Sequence, residues 1–78
     1  MQYQESDLPV TLKEGEEVIV ADGTEVRFED AGGAFDVMVG GEFTPRTTLF
    51  ESNEYDLEIG GKTYKCIAMA DGLKIEAG

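Results

Sequence analysis

The carboxyl-terminal third of the chain reads 54-EYDLEIGGKTYKCIAMADGLKIEA-77. Apolar and polar residues alternate along it in three runs, which a Gly-Gly and an Asp-Gly dipeptide separate. Alternation with period two is typical of half-buried strands. Glycine and Asp-Gly suit two-residue hairpin turns, because both central positions of such turns need a positive φ. The segment therefore predicts three antiparallel strands, at 54–59, 62–70 and 73–77.

The same pattern extends towards the amino terminus, where Asp-Gly or Gly-Gly dipeptides follow residues 21, 31 and 39. It predicts further strands near 9–13, 17–21, 24–29, 34–39 and 41–44. Pro45 cannot donate a ladder hydrogen bond, so it excludes the next stretch from a central strand, and Thr48 to Asn53 is compatible with one helical turn.

Seventy-eight residues suffice for a single domain over 1–78. We therefore predict an all-β fold, a small antiparallel barrel or sandwich of about 6–8 short hairpin-linked strands. Residues 1–8 lack the alternation and are expected to form a flexible N-terminal arm.

Charge restricts the possible partners. The chain has 17 acidic and six basic residues, no histidine and a net charge of −11, and residues 1–59 hold 15 of the acidic residues. Such a field repels nucleic acid and anionic lipid and attracts basic proteins. No apolar run reaches the length of a membrane span. We expect no direct nucleic-acid or membrane contact. We also expect a cytoplasmic location (the host cytoplasm if a phage encodes the chain), since the sequence has no recognisable export signal and contains a single cysteine.

No residue pattern points to catalysis. Cys66 has no histidine to activate it, and Lys65 points to the opposite face of the strand, so a small buried residue is the expected role of this cysteine. Neighbouring carboxylates along exposed strands do not converge as acid–base pairs must. A closed barrel of this size holds at most a small ligand. The sequence predicts no enzyme and no cofactor. It also predicts no metal site, because one cysteine and no histidine cannot supply the usual ligands of zinc, and the acidic loops lack the EF-hand spacing that binds calcium.

Alternate residues on a strand are about 6.6 Å apart, which is twice the roughly 3.4 Å axial step between phosphates of one DNA strand. Rows of acidic residues could therefore contact the lysines and arginines of a basic nucleic-acid-binding effector. In size, acidity and lack of catalytic groups the chain resembles small phage-encoded inhibitors of CRISPR or restriction systems. This resemblance implies an anti-CRISPR or anti-restriction inhibitor acting as a nucleic-acid mimic. The predicted contact residues are Glu14, Glu16, Glu25, Glu29, Glu54, Asp56 and Glu58.

Two features leave alternatives open. Strand 62–70 has apolar residues on both faces, which indicates either a strand covered on both sides or a self-association surface including Cys66, Ile67 and Met69. In the second case the chain would be a structural or assembly module, such as a virion or accessory protein, that forms homodimers. The loop around Arg46 is either an exposed recognition loop with that arginine as anchor or an ordinary hairpin connection.

Overall fold

The computed structural model describes residues 2–78. Its strands are β1 (Gln2–Gln4), β2 (Val10–Leu12), β3 (Glu17–Val20), β4 (Thr24–Ala31), β5 (Ala34–Val39), β6 (Thr47–Leu49), β7 (Glu54–Ile59), β8 (Lys62–Met69) and β9 (Gly72–Ala77). Single 3-10 turns, Glu5–Asp7 and Ala21–Gly23, follow β1 and β3. The predicted all-β class is confirmed.

Two sheets make up the sandwich. The larger, sheet A, has the order β1-β3-β4-β5-β6, and sheet B has the order β2-β9-β8-β7. Neighbouring strands are antiparallel, except that β1 is parallel to β3. Consecutive hairpins build β3 to β6 and β7 to β9, and the turn dipeptides correctly predict four of these turns, β3–β4, β4–β5, β7–β8 and β8–β9, but not the long β5–β6 connection.

Inward-facing side chains of both sheets form one core. Period-two alternation places every second residue of a strand on this side, where burial of apolar surface stabilises the fold. The described residues contain no helix with the length and hydrophobicity needed to cross a bilayer. Fully buried members of the core include Leu12, Val18, Val26, Val37, Leu57, Tyr64, Cys66, Leu73 and Ile75.

Strand directions sort the connections into two groups. The β4–β5 end of the sandwich carries the loops 13–16, 32–33, 50–53 and 70–71. The opposite β5–β6 end carries the connections 21–23, 40–46 and 60–61. Loops distant in sequence therefore become neighbours at each end.

The predicted strand at 41–44 is wrong, as is the helical turn at 48–53. Gly40 has φ +56° and begins a loop, and the chain resumes pairing only at β6, after Pro45. Leu49 then pairs with Phe35 and is buried in the core. Leu49 is the one apolar residue of β6, so the sequence shows no alternation there from which a strand could be predicted.

Residues 2–8 do not form the flexible arm that the sequence predicts for residues 1–8, because they include strand β1 and the 3-10 turn that follows it. Gln2, Tyr3 and Gln4 pair with residues 17–19 of β3, and Tyr3 packs against the core. The hydroxyl of Tyr64 donates a hydrogen bond of 2.8 Å to the Glu5 carboxylate. A short parallel edge strand depends on such distant partners, so its own sequence carries no signal for it.

Candidate functional site

The acidic row on β7 lies on the outer face of sheet B. Glu54, Asp56 and Glu58 are exposed, because Leu57 and Ile59 face the core. Lys65 of the neighbouring strand is opposite Asp56, and its Nζ lies 3.5 Å from Glu54 Oε1. A lysine of the chain therefore partly neutralises this row.

The acidic row on β4 lies on the outer face of sheet A, on the other side of the sandwich. Arg27 lies between Glu25 and Glu29, with its guanidinium nitrogens 3.7 Å and 3.6 Å from their carboxylates. The nearby Glu17 carboxyl raises the pKa of Glu25 above its ordinary value by sharing a hydrogen bond, and partial burial adds to the shift. The two rows are thus on opposite faces and form no continuous acidic surface.

The remaining predicted contacts, Glu14 and Glu16, lie in the β2–β3 loop at the β4–β5 end. Glu16 Oε1 accepts a 2.9 Å hydrogen bond from the Lys13 backbone, which fixes the turn. Glu14 Oε2 accepts a 3.3 Å bond from the Asp30 backbone and so joins this loop to the end of β4. Of the seven predicted acidic residues, these two lie in a loop, whereas the other five lie on β4 and β7.

A groove opens between the sheets at the β4–β5 end. It has a volume of about 370 Å³. The rings of Phe28 and Phe35 line it and are stacked, with centroids 4.9 Å apart and planes 11° from parallel. Apolar side chains thus form one wall of an otherwise polar recess.

Four charged side chains complete the groove, namely Glu14, Asp30, Asp71 and Lys13. They come from the loops 13–16 and 70–71 and from the end of β4. Asp30 is held in place because its Oδ1 accepts a 3.0 Å bond from the Gly33 backbone. Within residues 2–78, Lys13 is the one basic side chain outside the ion pairs of the chain. The groove therefore combines an aromatic wall with an excess of carboxylates, an arrangement that suits a cationic group.

Arg46 is tied to its own loop. Its Nη2 lies 2.9 Å from Glu42 Oε2 and its Nε donates a 3.4 Å bond to Oε1 of the same carboxylate. Phe43 projects from this loop with 99% of its surface exposed. The guanidinium of Arg46 is therefore already paired within its own loop, whereas the ring of Phe43 is exposed to solvent.

Strand β8 is the position of the predicted self-association surface. Cys66 faces the core and is fully buried, which confirms its predicted role as a small buried residue. Burial raises the pKa of its thiol to about 12, with a smaller contribution from the negative charge of Asp56. Ile67 faces outward, half-buried, directly between Glu54 and Lys74. Met69 is 39% exposed at the end of the strand. Ile67 and Met69 therefore share the outer face of sheet B, whereas Cys66 lies on the core side and cannot belong to the same surface.

Metal-ligating side chains are not grouped. No three cysteine, aspartate or glutamate side chains within the described range 2–78 are placed to hold a metal ion. The groove carboxylates of Glu14, Asp30 and Asp71 line a wide recess rather than a coordination site.

Sequence reasoning missed the groove. Asp30 and Asp71 belong to turn dipeptide regions, where acidic residues are common, and Phe28 and Phe35 match ordinary inward strand positions. The position of Arg27 between Glu25 and Glu29 in the sequence is a signal for the local neutralisation of the β4 row, but no comparable signal marks the groove.

No protein-family model, curated protein or solved structure matches this chain.

Proposed function

We propose that the protein acts by binding a basic protein through the groove at the β4–β5 end, with inhibition of a nucleic-acid-handling protein as the leading form. The observation that supports this proposal most is the groove itself, in which two stacked phenylalanines adjoin three carboxylates. The net charge of −11 adds a long-range attraction for cationic partners.

The groove suits an arginine or lysine side chain of the partner. Such a side chain has an apolar stem and a charged head, so the stem can cover the rings of Phe28 and Phe35 while the head contacts carboxylates. Charge-assisted hydrogen bonds to Asp30 or Asp71 would be stronger than neutral ones. Lys13 opposes this binding, because its own positive charge occupies the same recess.

The strand rows support the proposal less. Arg27 lies between the β4 carboxylates, Lys65 is paired with Glu54, and the two rows face opposite sides. A partner surface that grips one nucleic-acid strand could contact only one row at a time. Mimicry by several loops around the groove is therefore the form of the inhibitor hypothesis that we retain.

Binding to a labelled short peptide of alternating arginine and serine tests the site. The decisive comparison uses two triple variants that remove the same charge: Glu14→Gln/Asp30→Asn/Asp71→Asn in the groove, and Glu54→Gln/Asp56→Asn/Glu58→Gln on β7. We expect the groove triple to lose about tenfold in affinity and the β7 triple about twofold, the latter from net charge alone. The same peptide with citrulline in place of arginine should not bind.

The Lys13→Gln variant is expected to bind the arginine peptide more tightly, because the competing cation is removed. Backbone amide NMR shifts should locate the peptide at residues 13–16, 30–33 and 70–72. Equal losses in the two triple variants would reduce the interaction to nonspecific charge attraction, and a larger loss in the β7 triple would move the site to that strand. Either result rejects the groove.

The inhibitory form needs a further measurement. Proteins that bind the wild-type chain and not the groove triple are purified, and their affinity for labelled duplex DNA and RNA is measured with and without the chain. Weakened nucleic-acid binding supports inhibition. Unchanged nucleic-acid binding would leave a binding module that does not inhibit.

A further inference from the structure

The free acceptor groups of the groove come from both sheets. Glu14 Oε2 accepts a hydrogen bond from the Asp30 backbone, and Asp30 Oδ1 accepts one from the Gly33 backbone. These two bonds orient both carboxylates, and the second oxygen of each has no hydrogen bond within residues 2–78. Asp71 lies in the β8–β9 turn of sheet B, and its carboxylate is not hydrogen-bonded in the same part of the chain. A cation in the groove would therefore meet oriented acceptors from more than one direction.

Apolar ring surface lies directly beside these acceptors. Phe28 is only 6% exposed and Phe35 is half-buried, so both rings are held in place by the core. Ligand pockets usually have volumes of about 300–1,000 Å³, and the volume of this groove, about 370 Å³, is near the lower limit. The groove therefore has room for one long side chain and not for a helix or a strand of a partner.

Lys13 shows how an ammonium behaves in this setting. Its side chain lines the groove together with the three carboxylates. It forms no ion pair with any of them, although every other basic side chain within residues 2–78 is in an ion pair. The carboxylates of the groove are therefore left for a cation of a different shape or from a different direction.

We infer that the groove selects the guanidinium of an arginine on the partner protein over the ammonium of a lysine. A guanidinium is planar and weakly hydrated, and its five donors lie in one plane. Its flat faces can lie against the rings of Phe28 and Phe35 while donors at its edge reach Asp30 and Asp71. An ammonium is compact and strongly hydrated, so it loses more hydration beside the rings and reaches fewer acceptors at once. This inference rests on the proposed function, because it names the side chain that enters the same groove.

A protein arginine is favoured over a free guanidinium compound. The net charge of −11 attracts a cationic partner more strongly as the charge of that partner rises. A protein surface with several arginines is therefore attracted more strongly than a monovalent compound. We expect the occupant to be a side chain of an arginine-rich protein segment.

Two peptides of equal length and charge test the selectivity, one with alternating arginine and serine and one with alternating lysine and serine. Calorimetry measures both on the wild-type chain and on the groove triple, Glu14→Gln/Asp30→Asn/Asp71→Asn. We expect the wild-type chain to bind the arginine peptide about tenfold more tightly than the lysine peptide, and the groove triple to reduce this ratio to about twofold. The wild-type chain should bind N-acetyl-arginine amide at least about tenfold more weakly than the arginine peptide.

Phe35→Leu tests the ring contact, because it keeps an apolar side chain and removes the flat surface. It should lower the arginine-to-lysine affinity ratio to about twofold, whereas Phe50→Leu, at the same end of the sandwich but outside the groove, should leave it at about tenfold. Thermal unfolding shows whether each variant is folded. A second measurement needs no variant, since nuclear Overhauser contacts should connect the arginine methylenes of the bound peptide to the ring of Phe28 or Phe35.

Equal affinities of the two peptides for the wild-type chain would overturn the inference, and would leave the proposed function standing if the groove triple weakened both. An arginine preference that persists in the groove triple, or peptide contacts that avoid both rings, would place the selectivity elsewhere and overturn it as well. N-acetyl-arginine amide that binds as tightly as the peptide would overturn the protein partner in favour of a small ligand. A groove triple that weakens neither peptide would reject the proposed function together with the inference.

Discussion

The hydroxyl of Tyr64 joins the two sheets through Glu5. It donates a 2.8 Å hydrogen bond to Glu5 Oε2 and accepts a 3.3 Å bond from the Ala21 backbone, and Lys62 Nζ lies 3.3 Å from the same carboxylate oxygen. Tyr64 belongs to β8 in sheet B, whereas Glu5 directly follows β1 in sheet A. This contact spans 59 positions in sequence and fixes the amino-terminal strand.

Tyr64→Phe keeps the buried ring and removes only the hydroxyl. We expect it to lower the free energy of unfolding by about 1 kcal/mol, the usual net value of one such bond. Urea denaturation measures this change, and hydrogen exchange should become faster at residues 2–4. Tyr55→Phe is the matched control, because no hydrogen bond of the Tyr55 hydroxyl is found within residues 2–78. A control that loses as much stability as Tyr64→Phe would contradict the assignment.

Glu5 makes the stability pH-dependent. The Tyr64 hydroxyl, and to a smaller extent Lys62, hold the pKa of Glu5 below its ordinary value. A lowered pKa in the folded state means that the contribution of Glu5 is complete above the ordinary glutamate range and is lost as pH falls through the lowered value.

Glu5→Gln should therefore be less stable than wild type near neutral pH, and the difference should disappear in acid. Thermal unfolding of both proteins at about pH 7 and about pH 3 measures it. A difference that persists unchanged in acid would show that the Glu5 charge is not responsible.

Gly72 is required by close packing of β9 against β2. A Cβ at this position would overlap the backbone carbonyl of Leu12, which cannot move without breaking the sheet. We expect Gly72→Ala to cost about 3 kcal/mol. Gly41→Ala is the control, because a Cβ there meets no atom and its φ is not positive; the control should change stability by less than about 0.5 kcal/mol. Equal effects in a denaturation experiment would contradict this explanation.

Cys66 should be unreactive in the native protein. Its thiol is fully buried and its pKa of about 12 leaves almost no thiolate near neutral pH. Ellman's reagent is expected to label it only after urea unfolding. Cys66→Ala should cost about 1–2 kcal/mol through the small cavity, and Cys66→Ser more, because its hydroxyl would be buried without a partner. Rapid labelling of the native protein, or a covalent dimer on a non-reducing gel, would contradict this prediction.

Much of the fold could be read from local patterns. Alternation in residues 54–77 predicted three strands that the structure contains as β7, β8 and β9, and the expected role of Cys66 as a small buried residue is confirmed. The three-residue strands β1 and β6 could not be predicted, since each contains a single apolar residue and shows no alternation, whereas the equally short β2 has Val10 and Leu12 at alternate positions and was predicted. The acidic rows were recognised as exposed, but their separation onto opposite faces was not.

The sequence alone thus determined the longer strands, the dipeptide turns that join them and the side of each of these strands that faces inward, because backbone pleating makes these properties local. Only the packing of the two sheets decided that Glu14, Asp30 and Asp71 meet beside Phe28 and Phe35, and that Tyr64 reaches Glu5. These contacts join residues far apart in sequence, so they depend on the topology of the whole domain and have no local signature.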